Sequence, residues 1–244
     1  MQRRRLLVPL FALAFLVVGV APVAAATSTS EELIRGLESN LIAVAVPITL
    51  IVEGILVYTV WKYRNADEAK PTLENRRLEI TWTVTTALVL LFVGVAAYGV
   101  MADQSVTATQ QSVENAMEEG DPVVVDAEGH QWYWNFNYST ENVTTQRNNL
   151  VLPADRQVAI NTSSEAVLHA VHVPGLGLKA DAMPGQTNYI MTELTQTGTY
   201  QLYCAEYCGQ GHSAMLATVH VVPAEEYDEW VEDPENSSVP YNAA

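Results

Sequence analysis

Basic side chains are scarce in this 244-residue sequence, which has 12 lysines and arginines against 28 aspartates and glutamates. The formal net charge is -16, and a chain this acidic repels phosphate backbones, which excludes nucleic acid as a partner. An acidic surface with so few lysines is typical of proteins that stay soluble in high salt, so we predict a halophilic setting. An ordinary acidic exported domain explains the same composition.

Cysteine is also scarce, since the chain has only Cys204 and Cys208. Two cysteines exclude a small scaffold that is held together by several disulfides. They leave either a single disulfide or a metal site.

Long apolar stretches, by contrast, crowd the first hundred residues. The first runs over residues 6–26, follows Arg3 to Arg5, and ends in three alanines at positions 24–26. This is the pattern of a secretory signal, so residues 1–26 are predicted to be a signal peptide that is cleaved after Ala26. An uncleaved anchor is the alternative, because residues 6–23 are about long enough to span a bilayer.

Two further apolar stretches, about residues 40–60 and 80–101, each have the length of a membrane-spanning helix. They predict a transmembrane helical hairpin over residues 27–102. The short connection carries five basic residues, which are Lys62, Arg64, Lys70, Arg76 and Arg77. By the positive-inside rule this connection is cytoplasmic, so we predict a multi-pass protein of the cell membrane whose remainder lies on the extracytoplasmic side.

The outer part begins with a polar segment, residues 103–120, that predicts a linker or a helix extension into water. Short strand-like runs separated by Gly, Pro, Asn and Asp then predict an all-β sandwich over residues 121–232. The runs are 123–127, 131–138, 149–152, 157–162, 166–173, 187–194, 199–204 and 216–222. A short amphipathic helix over residues 224–232 is predicted before a polar tail, 233–244.

Both cysteines fall within one twelve-residue segment, Cys204 to Met215, which also contains His212. Thiolate, imidazole and thioether are the soft ligands that select copper, and His169 can supply a ligand from a distant strand. One thiolate would suffice for a mononuclear blue-copper site. The second indicates two bridging sulfurs between two copper ions, each capped by one histidine. Sharing an electron over two ions changes little geometry on reduction and favours fast electron transfer.

Two alternatives remain at this point. A disulfide between Cys204 and Cys208 is compatible with an oxidising exterior, but it leaves the two histidines and Met215 unexplained. A zinc site would use the same cysteines and histidines, but the methionine and the β-sandwich context favour copper.

Three further motifs accompany the cysteine segment and the two apolar spans. They are the sequences at residues 129–134 (Gly-His-Gln-Trp-Tyr-Trp), 167–169 (Val-Leu-His) and 173–185 (Val-Pro-Gly-Leu-Gly-Leu-Lys-Ala-Asp-Ala-Met-Pro-Gly). Together these features closely resemble the cytochrome c oxidase subunit II family over about residues 40–222. The resemblance implies a membrane-anchored all-β protein, in which a two-helix hairpin precedes a cupredoxin-like Greek-key sandwich that carries the binuclear centre called copper A.

The resemblance also implies the roles of the ligands. Cys204 and Cys208 would bridge two coppers, with His169 and His212 as terminal ligands. Met215 would be one weak axial ligand and the backbone carbonyl of Glu206 the other. The Glu206 side chain would reach a magnesium ion at the border with subunit I.

Two residues outside the ligand set are assigned roles by resemblance. Trp132 lies in an aromatic run that usually forms core, but it matches the exposed tryptophan where the electron donor docks. Glu79 begins the second span, where a carboxylate often just complements the helix dipole, and it matches the mouth of a proton pathway.

Four ionisable residues remain outside any assigned role. His172 lies three residues after His169, and in a strand those positions face opposite sides, so we expect a packed or hydrogen-bonded neighbour rather than a ligand. His130 and His220 have no motif support. Glu53 lies deep in a span, where a carboxylate usually faces a partner or water, which suggests a contact with subunit I.

The resemblance therefore implies subunit II of a proton-pumping cytochrome c oxidase, an enzyme only as part of its complex. Its partners would be the haem-bearing subunit I, subunit III, and a donor that is either cytochrome c or a small blue-copper protein. A quinol oxidase subunit would lack the copper ligands. A copper-delivery protein would need neither the hairpin nor Trp132, and nitrous oxide reductase has a large additional domain.

Overall fold

The structure is a computed structural model that describes residues 25–66, 68, 71, 73–141 and 143–240. The predicted signal peptide, apart from Ala25 and Ala26, lies outside the described residues. Its cleavage stays a prediction.

Two long apolar helices form the membrane anchor, α1 (Thr29–Tyr63) and α2 (Arg76–Met101). Both are long and apolar enough to cross a membrane, which agrees with the two predicted spans. Serine and asparagine start them, since the side chains of Ser28 and Asn75 accept hydrogen bonds from the first-turn amides. Helix α1 begins eleven residues before the predicted span, so about 16 Å of helix extends toward the outer domain at 1.5 Å per residue.

The segment between anchor and sandwich, residues 103–120, was predicted to be a linker or a helix extension into water, and it contains a separate short helix. A third helix, α3 (Gln110–Glu119), starts at a capping box made by Thr109 and Ser112. Only Val113 and Ala116 of this helix are buried, and they pack against one sheet of the sandwich. Two small apolar residues give too weak a periodicity for the helix to be predicted from sequence.

The outer domain is a sandwich of two five-stranded sheets. The first has the order β3-β2-β1-β5-β8 and the second β4-β10-β9-β6-β7, with β1 parallel to β5 and β4 parallel to β10. The strands are β1 (Val123–His130), β2 (Tyr133–Tyr138), β3 (Gln146–Arg147), β4 (Asn149–Pro153), β5 (Gln157–Ser164), β6 (His169–Val173), β7 (Leu178–Ala182), β8 (Asn188–Glu193), β9 (Gly198–Cys204) and β10 (Leu216–Val222).

All eight predicted strands are present, and β3 and β7 were missed. Strand β3 has only two residues, and β7 reads Leu-Lys-Ala-Asp-Ala, whose small and charged residues have little β-propensity. Strand β7 forms because β6 pairs with it over five residues.

The core lies between the two sheets and is closed at one end by helix α4 (Ala224–Glu232), which confirms the predicted helix. Tyr227 and Trp230 of this helix are fully buried, and Trp230 stacks edge-on against Tyr138 at 5.1 Å. The Tyr138 hydroxyl donates to the Val151 carbonyl and accepts from the Val151 amide, which joins the two sheets. The opposite end of the sandwich carries the cysteine segment.

Candidate metal centre

The cysteine segment is the connection between β9 and β10, and the backbone holds it against β6. Cys204 is the last residue of β9, and its amide donates to the Met215 carbonyl at the start of β10. His169 is the first residue of β6, which pairs with β9. His212 begins a short 3-10 turn inside the loop. Two neighbouring strand ends and one loop therefore supply every predicted ligand.

The two cysteine sulfurs lie at the centre of the site, 3.8 Å apart. Each faces one imidazole nitrogen at 3.6 Å: Cys204 faces Nδ1 of His169, and Cys208 faces Nδ1 of His212. The Met215 sulfur lies 3.8 Å from the Cys208 sulfur, and the Glu206 carbonyl oxygen lies 3.2 Å from the Cys204 sulfur. The structure thus brings together all six predicted donors.

The distance between the sulfurs decides against the disulfide alternative. Both cysteines are free, and 3.8 Å is far beyond an S–S bond of about 2.05 Å. Two metal–thiolate bonds of about 2.3 Å meeting at one ion span a distance of this size. The sulfur pair therefore has the spacing of ligands that share a metal.

The candidate ligand atoms are buried away from water, which favours the binding of a cation among them. His169 and both cysteines are buried, and their ligand atoms lie within 4.8 Å of one another. Burial, with the neighbouring Cys204 thiol, raises the pKa of Cys208 to about 11. Burial, with His130 and His212 nearby, lowers the pKa of His169, which keeps its imidazole neutral and able to bind a metal. Two thiolates in this place need positive ions to compensate their charge, so the residues fit a copper site.

Trp132 lies directly over the cysteine loop, and its side chain is 40% exposed. Its indole nitrogen donates to the Cys208 carbonyl at 3.1 Å, and the side-chain Nε2 of Gln131 donates to the same oxygen at 2.8 Å. The ring packs so closely on Gly211 that a Cβ there would lie 2.3 Å from Cδ2 of Trp132. Trp132 thus joins the exposed surface to a candidate ligand residue.

Sequence reasoning missed three residues that shape the site. Gln131 and Gly211 fix Trp132 over the loop. Gly129 lies against the His169 ring, where a Cβ would come within 2.9 Å of Cδ2. Gly129 and Gln131 lie in the motif quoted for the resemblance, but their contacts arise only in the folded chain, where Gly129 of β1 faces His169 of β6 and Gln131 reaches the cysteine loop.

The remaining ionisable candidates lie outside the centre. His172 is a hydrogen-bonded neighbour, as expected, with Nδ1 3.3 Å from the Leu178 carbonyl. His130 binds Glu165 at 2.7 Å and Glu128 at 3.1 Å. Glu79 lies in the first turn of α2 and Glu53 in the middle of α1, and both are exposed on the described chain. The proton-pathway role of Glu79 stays a prediction.

Two family models match most of the chain. Residues 16–100 match the transmembrane domain of cytochrome c oxidase subunit II, and residues 142–222 match its periplasmic domain. The two matches coincide with the helical hairpin and with most of the β-sandwich. They cover the residues that supply all six donors.

Individual relatives agree with the family models. The chain is 29% identical to cytochrome c oxidase subunit 2 of Synechocystis over 87% of its length and 75% of the relative's. It is 32% identical to the subunit 2 of Alkalihalophilus pseudofirmus over 76% of its length, but it spans only 54% of that relative. The crystal structure of the periplasmic domain of subunit II of cytochrome oxidase from Bradyrhizobium japonicum is 28% identical, with a TM-score of 0.43, and the match covers 45% of this chain and 91% of that domain.

Proposed function

Since this chain belongs to the cytochrome c oxidase subunit II family, we propose that it receives electrons from a soluble carrier at a binuclear copper A centre and passes them to haem in subunit I. Subunit I, within the same oxidoreductase complex, would reduce oxygen to water and pump protons. The observation that carries the proposal is the pair of unbonded thiols 3.8 Å apart, each facing one imidazole nitrogen at 3.6 Å.

Six donors of this chain would hold the proposed copper centre. The thiolates of Cys204 and Cys208 and the imidazoles of His169 and His212 would hold the two copper ions. The Met215 thioether and the Glu206 carbonyl would be further, weaker donors. When bound, the two coppers would supply a site that accepts and releases one electron with little change in geometry.

Trp132 and Glu206 would connect the centre to the two sides of the electron path. The exposed edge of Trp132 would offer a docking surface for the donor, and its hydrogen bond to the Cys208 carbonyl connects that surface to a residue that would hold copper. Glu206 is partly exposed, and its side chain makes no hydrogen bond or ion pair with the residues that the structure describes. It is therefore free to bind magnesium at the border with subunit I.

The proposal places the sandwich on the extracytoplasmic side, because the basic residues cluster in the connection between α1 and α2. Glu79, at the cytoplasmic start of α2, would then lie at the mouth of a proton pathway into subunit I. Subunit III is a further expected partner. The donor is cytochrome c or a small blue-copper protein, and in high salt the steering effect of an acidic surface on a basic donor would be weak.

Metal analysis and electron paramagnetic resonance of the full chain in detergent test the proposal. We expect two coppers per chain that share one unpaired electron when the centre is oxidised. Cys204→Ser should abolish this signal, whereas Ser213→Ala, a change at an exposed neighbour of His212, should leave it unchanged. Bound zinc, or the spectrum of a single blue copper in the unmodified chain, would refute the binuclear assignment.

A further inference from the structure

The segment that precedes helix α1 is fastened to the outer domain by a set of hydrogen bonds. Ser28 forms an isolated β-bridge with Leu194, and its hydroxyl donates to the Leu176 carbonyl at 2.6 Å. The Thr195 amide donates to the Thr27 carbonyl at 3.0 Å. Thr27 and Ser28 therefore form a structural joint between anchor and sandwich, immediately after the predicted cleavage point.

A buried carboxylate lies at this joint. Glu31 is in the first turn of α1 and is only 8% exposed. Its Oε1 pairs with Arg35 at 2.6 Å. Its Oε2 accepts from the Thr27 backbone nitrogen and from the Thr27 hydroxyl, both at 2.6 Å. In the usual capping box such a carboxylate binds the N-cap amide, which here would be that of Ser28.

In the unprocessed chain, Thr27 has fewer hydrogens to donate than it has contacts with acceptor oxygens. The Thr27 hydroxyl lies 2.6 Å from Oε2 of Glu31 and also 2.6 Å from the Gly175 carbonyl, and both of these atoms only accept. A hydroxyl has one hydrogen and a backbone amide has one, so two hydrogens face three contacts. While Thr27 is inside a peptide bond, one of these three contacts is therefore left without a hydrogen from Thr27.

A free amino group at Thr27 would remove this deficit. An ammonium group carries three hydrogens and a positive charge, and its hydrogen bonds to a carboxylate are roughly twice as strong as those between neutral groups. The Thr27 hydroxyl could then donate to Gly175 alone. We propose that the chain is processed between Ala26 and Thr27 and that the new α-ammonium group of Thr27 forms an ion pair with the buried carboxylate of Glu31.

Cleavage must come before the outer domain folds. In the folded chain the Ala26 carbonyl accepts from the Thr195 hydroxyl at 2.9 Å, so the bond to be cut is held against the sandwich. A membrane signal peptidase would cut it during export. Hydrolysis adds one water: hydroxide joins the Ala26 carbonyl carbon, and the Thr27 nitrogen takes protons to become ammonium. The bonds from Thr195 and Gln196 to the two alanines are lost, and the ion pair replaces them.

The first test is the intact mass of the full chain purified from membranes in detergent. We expect a mass that begins at Thr27. A chain that begins at any other residue, or retains residues 1–26, overturns the proposal.

The second test is a thermodynamic cycle that separates the ion pair from the other effects of the leader. The processed chain is compared with the cleavage-blocked Ala24→Leu variant, each in the unmodified and in the Glu31→Gln background. Processing should raise the melting temperature in the unmodified background by on the order of 2–4 °C more than in the Glu31→Gln background. The matched control is Glu32→Gln, the same change at the exposed neighbouring position, which should behave like the unmodified chain. An equal effect of processing in both backgrounds refutes the ion pair.

If the cleavage-blocked variant does not fold, chemical labelling of the processed chain gives an independent measurement. An amine-acylating reagent at neutral pH should modify the Thr27 amino group more slowly in the folded chain than in folded Glu31→Gln. Equal labelling rates would overturn the proposal.

Discussion

The close contact between Gly211 and Trp132 makes Gly211→Ala the sharpest probe of the proposed electron path. The added methyl carbon would lie 2.3, 2.6 and 2.7 Å from three atoms of the indole ring, whereas ordinary contact begins at 3.4 Å. The ring must therefore move away from the cysteine loop by about 1 Å. The hydrogen bond from the indole to the Cys208 carbonyl is 3.1 Å long, and such a shift takes it beyond hydrogen-bonding range.

The expected result is slower electron transfer with an intact metal centre. The lost hydrogen bond is worth about 1 kcal/mol, and a barrier raised by that amount slows the reduction by roughly fivefold. The assay is stopped-flow reduction of the oxidised copper centre by ferrous cytochrome c or by a reduced small blue-copper protein, whichever reduces the unmodified chain faster. Copper content and the paramagnetic spectrum should stay unchanged.

Gly120→Ala is the matched control, because the only atom near its added methyl group is the Ala116 carbonyl oxygen at an ordinary 3.7 Å. It should reduce at the rate of the unmodified chain. A rate for Gly211→Ala that equals this control, with two coppers still bound, would refute the argument that the contact between Trp132 and the loop carries electrons.

Three further changes have definite expected outcomes. Trp230→Ala removes a fully buried ring from beneath α4 and should destabilise the sandwich by about 3–5 kcal/mol in denaturant melts; a loss below about 1 kcal/mol would contradict this packing. Burial raises the pKa of Glu141, with Asp121 and Asp228 adding to the effect against Arg156, so its favourable contribution exists at acidic pH and is lost as pH rises through the folded pKa. Glu141→Gln should therefore raise the free energy of unfolding at pH 7, by no more than about 0.5 kcal/mol because the side chain is partly exposed, and should leave it unchanged at pH 4. A variant that is less stable than the unmodified chain in denaturant melts at pH 7 would contradict this sign. Glu53→Gln should reduce the yield or turnover of the assembled oxidase, and unchanged assembly would exclude a role for this carboxylate at the interface.

The sequence predicted the strands and the two spans because their signals are local. Alternation identified the paired runs such as β5 and β10, and long apolar runs identified α1 and α2. Helix α3 and strand β7 were missed because their structure depends on distant partners: α3 needs the sheet under Val113 and Ala116, and β7 needs the edge of β6.

The candidate ligand residues could be predicted from the sequence, but the geometry of the site could not. Cys204, Cys208, His212 and Met215 are close in sequence, so their chemistry is visible without a structure. The spacing of the cysteines alone also allows a disulfide; His169, His212 and Met215 disfavour it in the sequence, and the 3.8 Å separation of the sulfurs decides against it. The contacts of Gly129 with His169 and of Gly211 with Trp132 join residues far apart in the sequence, so no local pattern could indicate them.

The position of His169 connects the metal centre to the membrane anchor. His169 is the first residue of β6, whose five residues lead directly into the turn Pro174–Leu176. The carbonyls of Gly175 and Leu176 in that turn accept from Thr27 and Ser28, which begin the anchor. Since a five-residue strand spans only about 17 Å and β6 is paired on both sides, the joint can hold His169, a candidate ligand, at a fixed orientation to the membrane. The proposed electron path to a haem in a neighbouring subunit would require such a fixed orientation, and the hydrogen bonds of the joint would then help to maintain it.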